Sequence, residues 1–101
     1  MAEVQTERHP LSDELVGVAA RRFRVLGEPL RIRLLERLSE SPASVGELQE
    51  AVGASQQNVS KHLAILHEAD MVDRRKEGQR TVYEISDPVV FDLCDLVCGR
   101  R

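Results

Sequence analysis

The sequence predicts a mainly α fold with one small β-hairpin: about five helices and a two-stranded projection. Three observations carry that expectation. Leucines and valines recur at helical spacing through the first two-thirds of the chain. Two short amphipathic segments, each opened by a serine, are joined by Gly53-Ala54. Behind them Thr81, Tyr83 and Ile85 alternate toward one face, with Glu77-Gly78 ahead as a tight turn. Helix, glycine-containing turn and polar-faced second helix make a helix-turn-helix, and a basic hairpin behind it makes a wing.

Residues 1–11 lack helical periodicity and contain Pro10, so a mobile arm is expected there. Residues 12–101 then form one winged helix-turn-helix domain. A helix over 12–26 carries Leu15, Val16, Ala19, Phe23 and Leu26 on its apolar side. Gly27 stops it and Pro29 starts the next. In that second helix Leu30, Leu34 and Leu38 mark a core-facing stripe, with Leu35 beside it. Arg31 and Arg33 lie elsewhere on it, either against a nucleic-acid backbone or paired with Glu28 or Glu36. Ser41-Pro42 breaks the chain. Ser44-Val45-Gly46-Glu47 then matches a capping box, in which Ser and Glu satisfy each other's backbone donors. Leu48 and Val52 supply the apolar side of that short helix.

Ser55 is a good N-cap for the next helix, in which Val59, Leu63 and Leu66 form one buried stripe. The opposite face of the first two turns carries Gln56, Gln57, Ser60 and Lys61. Amides suit base edges, while a hydroxyl and an ammonium suit phosphates. A merely solvated helix also shows a polar face, but the flanking elements favour a groove. Strands are expected over 71–75 and 79–85. The tip of this hairpin carries Arg74, Arg75, Lys76 and Arg80 against Glu77. Hairpins also carry charge to discourage edge pairing; a cluster of one sign behind a helix-turn-helix fits a phosphate-gripping wing better.

Asp87-Pro88 opens a last helix, and residues 89–98 are apolar nearly all round. Such a helix is normally buried, yet a domain this small cannot bury it alone. A homodimer solves the problem, with this helix packed on its symmetry mate and on helix 12–26. Its two recognition helices would meet double-stranded DNA one turn apart, on an imperfectly palindromic operator.

Composition agrees. At 101 residues the chain holds one domain and no separate catalytic lobe. No phosphate loop and no nucleophile–base pair is evident, so an enzyme is not expected. The lone thiol pair, Cys94 and Cys98, has the wrong spacing for a Cys-x-x-Cys oxidoreductase. No apolar run is long enough to span a membrane and no signal peptide is evident, which predicts a cytoplasmic protein without membrane contact. Two cysteines without a secretory context do not make a disulfide scaffold. The net charge of −3 counts against indiscriminate nucleic-acid binding. Acidic residues gather toward the ends (Glu3, Glu7, Asp13, Glu14; Asp87, Asp92, Asp95), whereas 74–80 is strongly basic.

Residues 25–85 resemble the ArsR/SmtB family of bacterial winged-helix repressors. The resemblance rests on Leu26-Gly27-x-Pro29-x-Arg31, Val45-Gly46-Glu47-Leu48, Val59-Ser60-x-His62-Leu63 and Arg75-x-x-Gly78, in that order. It implies a homodimer, built on its terminal helices, that represses from an operator and leaves DNA when a ligand, often a metal ion, binds. It also places His62 in the recognition helix, for packing or for a phosphate contact. His67 lies further along the same helix.

The family's sensor sites map unevenly. Where one uses cysteines in the first helix of the helix-turn-helix, this chain has Val45-Gly46-Glu47-Leu48-Gln49-Glu50. A second uses Asp and His at the start of the last helix; Asp87 fits, but Val89 replaces the histidine, and Arg100 falls near a later one. A third uses recognition-helix cysteines, which are absent here. Cys94 and Cys98 remain, at i and i+4 on one face of the last helix, and three readings stay open for them. They pack as small apolar residues. They form a redox-active thiol pair whose oxidation distorts the helix or links subunits. Or they bind a divalent metal ion (Zn or Ni) or arsenite, joined by Asp87, Asp92 or His9. A repressor without an inducer and a protein-interaction module are the alternative functions.

Overall fold

The computed structural model describes residues 10–88 together with Val90, Asp92, Asp95, Leu96 and Gly99. Among the described residues, four helices and three strands with continuous bounds follow in the order α1 (Asp13–Leu26), α2 (Pro29–Leu38), β1 (Ala43–Ser44), α3 (Val45–Val52), α4 (Gln56–Glu68), β2 (Val72–Glu77) and β3 (Arg80–Ile85). Val90, Asp92, Asp95 and Leu96 are helical, as the fifth expected helix requires; its other positions lie outside the described residues, as does most of the expected N-terminal arm.

Each helix starts where a side chain can satisfy a first-turn N–H. Ser12 accepts from Leu15 N–H at 3.1 Å, and Glu28 accepts from Leu30 N–H at 2.9 Å ahead of Pro29. Ser44 and Glu47 close the capping box reciprocally, at 3.2 and 2.8 Å. Ser55 accepts from Asn58 N–H at 3.1 Å. Such caps contribute about 1 kcal/mol each. Gly53 ends α3 at φ +69, the left-handed conformation that lets the chain turn at once into α4. At the far end of α4, Met71 N–H reaches Leu66 O and Asp70 N–H reaches His67 O, each at 3.0 Å. That is a Schellman closure, and it forces Asp70 to φ +61.

The core lies between α2, α3, α4 and the sheet. Leu34, Leu35, Leu38, Leu48, Val59, Leu63 and Leu66 fill it, with Met71, Val72 and Tyr83 from the sheet side. Burying each large aliphatic side chain contributes roughly 1.5–3 kcal/mol. Of the expected stripe of α1, Leu26 packs against this core, and the rest of the stripe takes no part in it. Val25 is the buried residue of α1, while Leu15, Val16 and Phe23 remain exposed.

The projection differs from the expected two-stranded unit. Its sheet has three antiparallel strands in the order β1-β3-β2, because Ala43 and Ser44 pair with Tyr83 and Val82. The turn also sits one residue later than expected. Glu77 pairs with Arg80, so Gly78 and Gln79 form a two-residue loop, and Gly78 takes φ +64, as a leading glycine in a tight hairpin turn can.

Candidate nucleic-acid interface

Helix α4 buries Val59, His62, Leu63 and Leu66. At 3.6 residues per turn the outward stripe is then Gln57, Lys61, Ala64 and Glu68, all exposed. Ser55 and Gln56 are exposed at its start and Ser60 is half-buried. Ala64 is small, and Glu68 places an anion at the far end of the stripe. The exposed polar side chains of this face are therefore gathered in the first two turns. Asn58 belongs to it as well: it is exposed in the first turn, and its amide has the same bidentate capacity as Gln56 and Gln57. Its place, one position past Gln57 and one before Val59, was the signal for it.

His62 stands apart from this group. Only 7 % of it is exposed, and its Nδ1 lies 3.1 Å from Arg31 NH1. Position 62 lies three residues from Val59 and four from Leu66, so it shares the inward stripe. Packing, not a phosphate contact, is the role its position gives it. Burial lowers its pKa first, with Arg31 adding to the effect, so the ring is neutral at pH 7.

Strand alternation divides the basic wing into two faces. Arg75 pairs across the strands with Val82, and its guanidinium binds Glu84 and Glu77, both at 2.9 Å. These carboxylates hold its pKa above the usual arginine value, Glu84 most. Arg80 reaches Glu47 of α3 at 3.3 Å. That carboxylate lies below its usual range, chiefly through the bond it accepts from the Ser44 backbone and then the Ser44 hydroxyl. Arg74 is opposite Tyr83 and Lys76 opposite Thr81. They occupy the other face, both exposed, and make no ion pair among the described residues. The wing is thus not a cluster of one sign: Glu47 and Glu84, remote in sequence, balance one face and leave the other cationic.

Of the sensing candidates, Asp87 and Asp92 are exposed, whereas Cys94, Cys98 and His9 lie outside the described residues. Among the described residues no three His, Cys, Asp or Glu side chains gather as a metal site.

A capped helix with an amide-rich outer face, set behind a short helix and beside a cationic hairpin, defines a winged helix-turn-helix DNA-binding domain. Comparison with known proteins agrees. A family model described as a helix-turn-helix domain matches residues 26–75. The uncharacterized HTH-type transcriptional regulator Rv0081 of Mycobacterium tuberculosis is 39 % identical over 83 residues, covering 81 % of this chain and 73 % of that protein. Its crystal structure superposes with a TM-score of 0.77 at 38 % identity, over 88 % of each chain. The homodimeric DNA-binding domain Mb0332 of Mycobacterium bovis, a possible ArsR-family regulator, gives 0.80 at 27 % identity, over 91 % of this chain and 88 % of that one. The antimony-specific transcriptional repressor AntR gives 0.81 at 30 % identity, over 92 % and 85 %. The chain belongs to the ArsR/SmtB family of winged helix-turn-helix transcriptional regulators and is a DNA-binding regulator.

Proposed function

We propose that this protein is a cytoplasmic homodimeric repressor that places the first two turns of α4 in successive major grooves of a palindromic operator. The observation that carries this reading is the pairing of an outward amide-rich helix face with a wing whose free cations lie on one side. Gln56, Gln57 and Asn58 read base edges; Ser55, Ser60 and Lys61 hold the flanking phosphates. Arg74 and Lys76 grip the backbone from the wing. Arg75 and Arg80 tie the wing to itself and to α3, because a cation already paired with a carboxylate releases less on meeting a phosphate. Support for the dimer comes from α1. Leu11, Leu15, Val18, Ala19, Arg22, Phe23 and Leu26 line an open groove along it, apolar surface that a single protomer leaves in water. Among the described residues no helix is long and apolar enough to cross a membrane.

Titration of labelled upstream DNA at several salt concentrations tests the wing. The slope of log affinity against log salt falls by about 0.9 for each phosphate that the protein ceases to neutralise. Arg74→Ala with Lys76→Ala removes two cations from each protomer, hence four from the dimer, so the slope should drop by about 3.6. Arg75→Ala should change it much less. An unchanged slope in the double variant removes Arg74 and Lys76 from the account.

Release of DNA by a ligand is the finer part of the proposal. AntR is named as antimony-specific. Here the retained donors are Cys94 and Cys98, with Asp87, Asp92 and His9. Diamide, Zn(II), Ni(II) and As(III) should each be added to the DNA complex of the wild type and of Cys94→Ser/Cys98→Ser. Release that requires the thiols supports sensing. Indifference to all four leaves a repressor with packing cysteines.

A further inference from the structure

Arg31 ties its own helix to two others. From α2 its Nε donates to the Val25 carbonyl near the end of α1 at 2.6 Å. Its NH1 lies 3.1 Å from Nδ1 of His62 on α4. A guanidinium only donates, so Nδ1 must be the bare nitrogen and the ring proton sits on Nε2. The ring is buried one position past the exposed Lys61, within the two turns proposed to enter the groove. Among the described residues, the charged groups acting on it are Arg31 and Glu28 from the α2 segment and Lys61 from α4. None comes from α3 or the sheet. Glu28 favours the charged ring, whereas burial, Arg31 and Lys61 all oppose it.

We infer that Arg31 and His62 are positioning residues for DNA recognition, which fix α4 against the end of α1 only while Nδ1 of His62 is free to accept. The inference rests on the DNA-binding and dimer readings above. Protonation removes the acceptor and sets a second cation beside the guanidinium. Either α4 shifts or Arg31 leaves its place, and the tie from α4 to α1 is lost. Because α1 carries the proposed dimer face, a shift of α4 alters the spacing of the two recognition helices. Two half-sites at fixed separation are sensitive to that spacing. Acid therefore weakens operator binding through this pair. The general electrostatic effect runs the other way, since neutralising carboxylates strengthens contact with phosphates.

Anisotropy of a labelled duplex from the gene's own upstream region, read at pH 7.5 and 5.5, tests the pair. His62→Asn puts an amide oxygen where Nδ1 stands and does not titrate. Arg31→Lys keeps the charge, but one ammonium cannot span both acceptors. Wild-type affinity should fall by about fivefold or more on acidification. His62→Asn should keep at pH 5.5 the affinity that it has at pH 7.5. Arg31→Lys should bind weakly at both. Circular dichroism and sedimentation at each pH separate these effects from unfolding or dissociation. Parallel pH profiles for wild type and His62→Asn overturn the inference, as does wild-type affinity in Arg31→Lys. A wild type that binds no DNA at pH 7.5 refutes the DNA-binding reading instead. The pair is then read alone by ¹⁵N–¹H NMR, where an Nε2–H tautomer supports it and an Nδ1–H tautomer overturns it.

Discussion

Phe23→Ala should uncouple dimerisation from folding. Phe23 keeps 62 % of its surface exposed and takes no part in the core cluster. A phenylalanine presents on the order of 200 Å², so about 120 Å² stays open on the protomer. Covering all of it against a partner would contribute about 3 kcal/mol at roughly 25 cal/mol per Å². Alanine keeps some of that area and a dimer covers it incompletely, so half, about 1.5 kcal/mol, is a fair loss per protomer. Two-fold symmetry counts the change twice, giving about 3 kcal/mol per dimer. That is on the order of a hundredfold in the dimer dissociation constant. Sedimentation equilibrium of reduced protein measures it directly, and circular dichroism shows whether the variant stays helical. A folded variant with the wild-type dissociation constant would refute the reasoning, since α1 could not then carry the interface.

Two further substitutions probe the frame that holds α4. Asp70→Gly should stabilise the protein by about 0.5–1 kcal/mol, because glycine reaches the left-handed conformation without the Cβ penalty and removes an anion from the negative end of α4. Urea unfolding reads it, and a loss of stability would show that the Asp70 side chain has a role the cap does not explain. Glu47→Gln tests the capping box through pH. Because folding lowers the Glu47 pKa from 4.5, chiefly through the Ser44 backbone bond, its carboxylate stabilises the fold above that value. The contribution is lost as pH falls through the folded value. Wild type should therefore exceed the glutamine variant in stability at pH 7 and converge with it near pH 3. A constant gap across that range would mean that the charge contributes nothing.

The helical frame was legible because its signals are local. Pro29, the capping box and the Ser55 cap each act within one turn, and they marked the starts of α2, α3 and α4 where the structure has them; the Ser12 cap of α1 emerged only from the structure. The 3.6-residue period gave the inward faces of α2 and α4. What escaped the sequence depends on contacts between distant residues. Ala43 and Ser44 have no strand signal of their own and become β1 only because β3 lies beside them. Glu47 neutralises Arg80 across 33 positions, so the charge balance of the wing could not be counted along the chain. The division of the wing cations follows from register: Arg75 shares a face with Glu77 and Glu84, whereas Arg74 and Lys76 do not. His62 was misleading by type more than by position, since its spacing from Val59 and Leu66 pointed inward. The apolar side of α1 was read correctly as apolar, but the protomer itself does not cover it.

Hydroxyl-radical footprinting on the gene's upstream DNA tests the central claim most directly, because it reports both contact and symmetry. The account predicts two protected patches on one face of the duplex, related by a two-fold axis and centred about 10 bp apart. Phe23→Ala should lose both together. A single patch without a symmetry mate would contradict the dimeric reading, and protection of no sequence at all would contradict operator recognition itself.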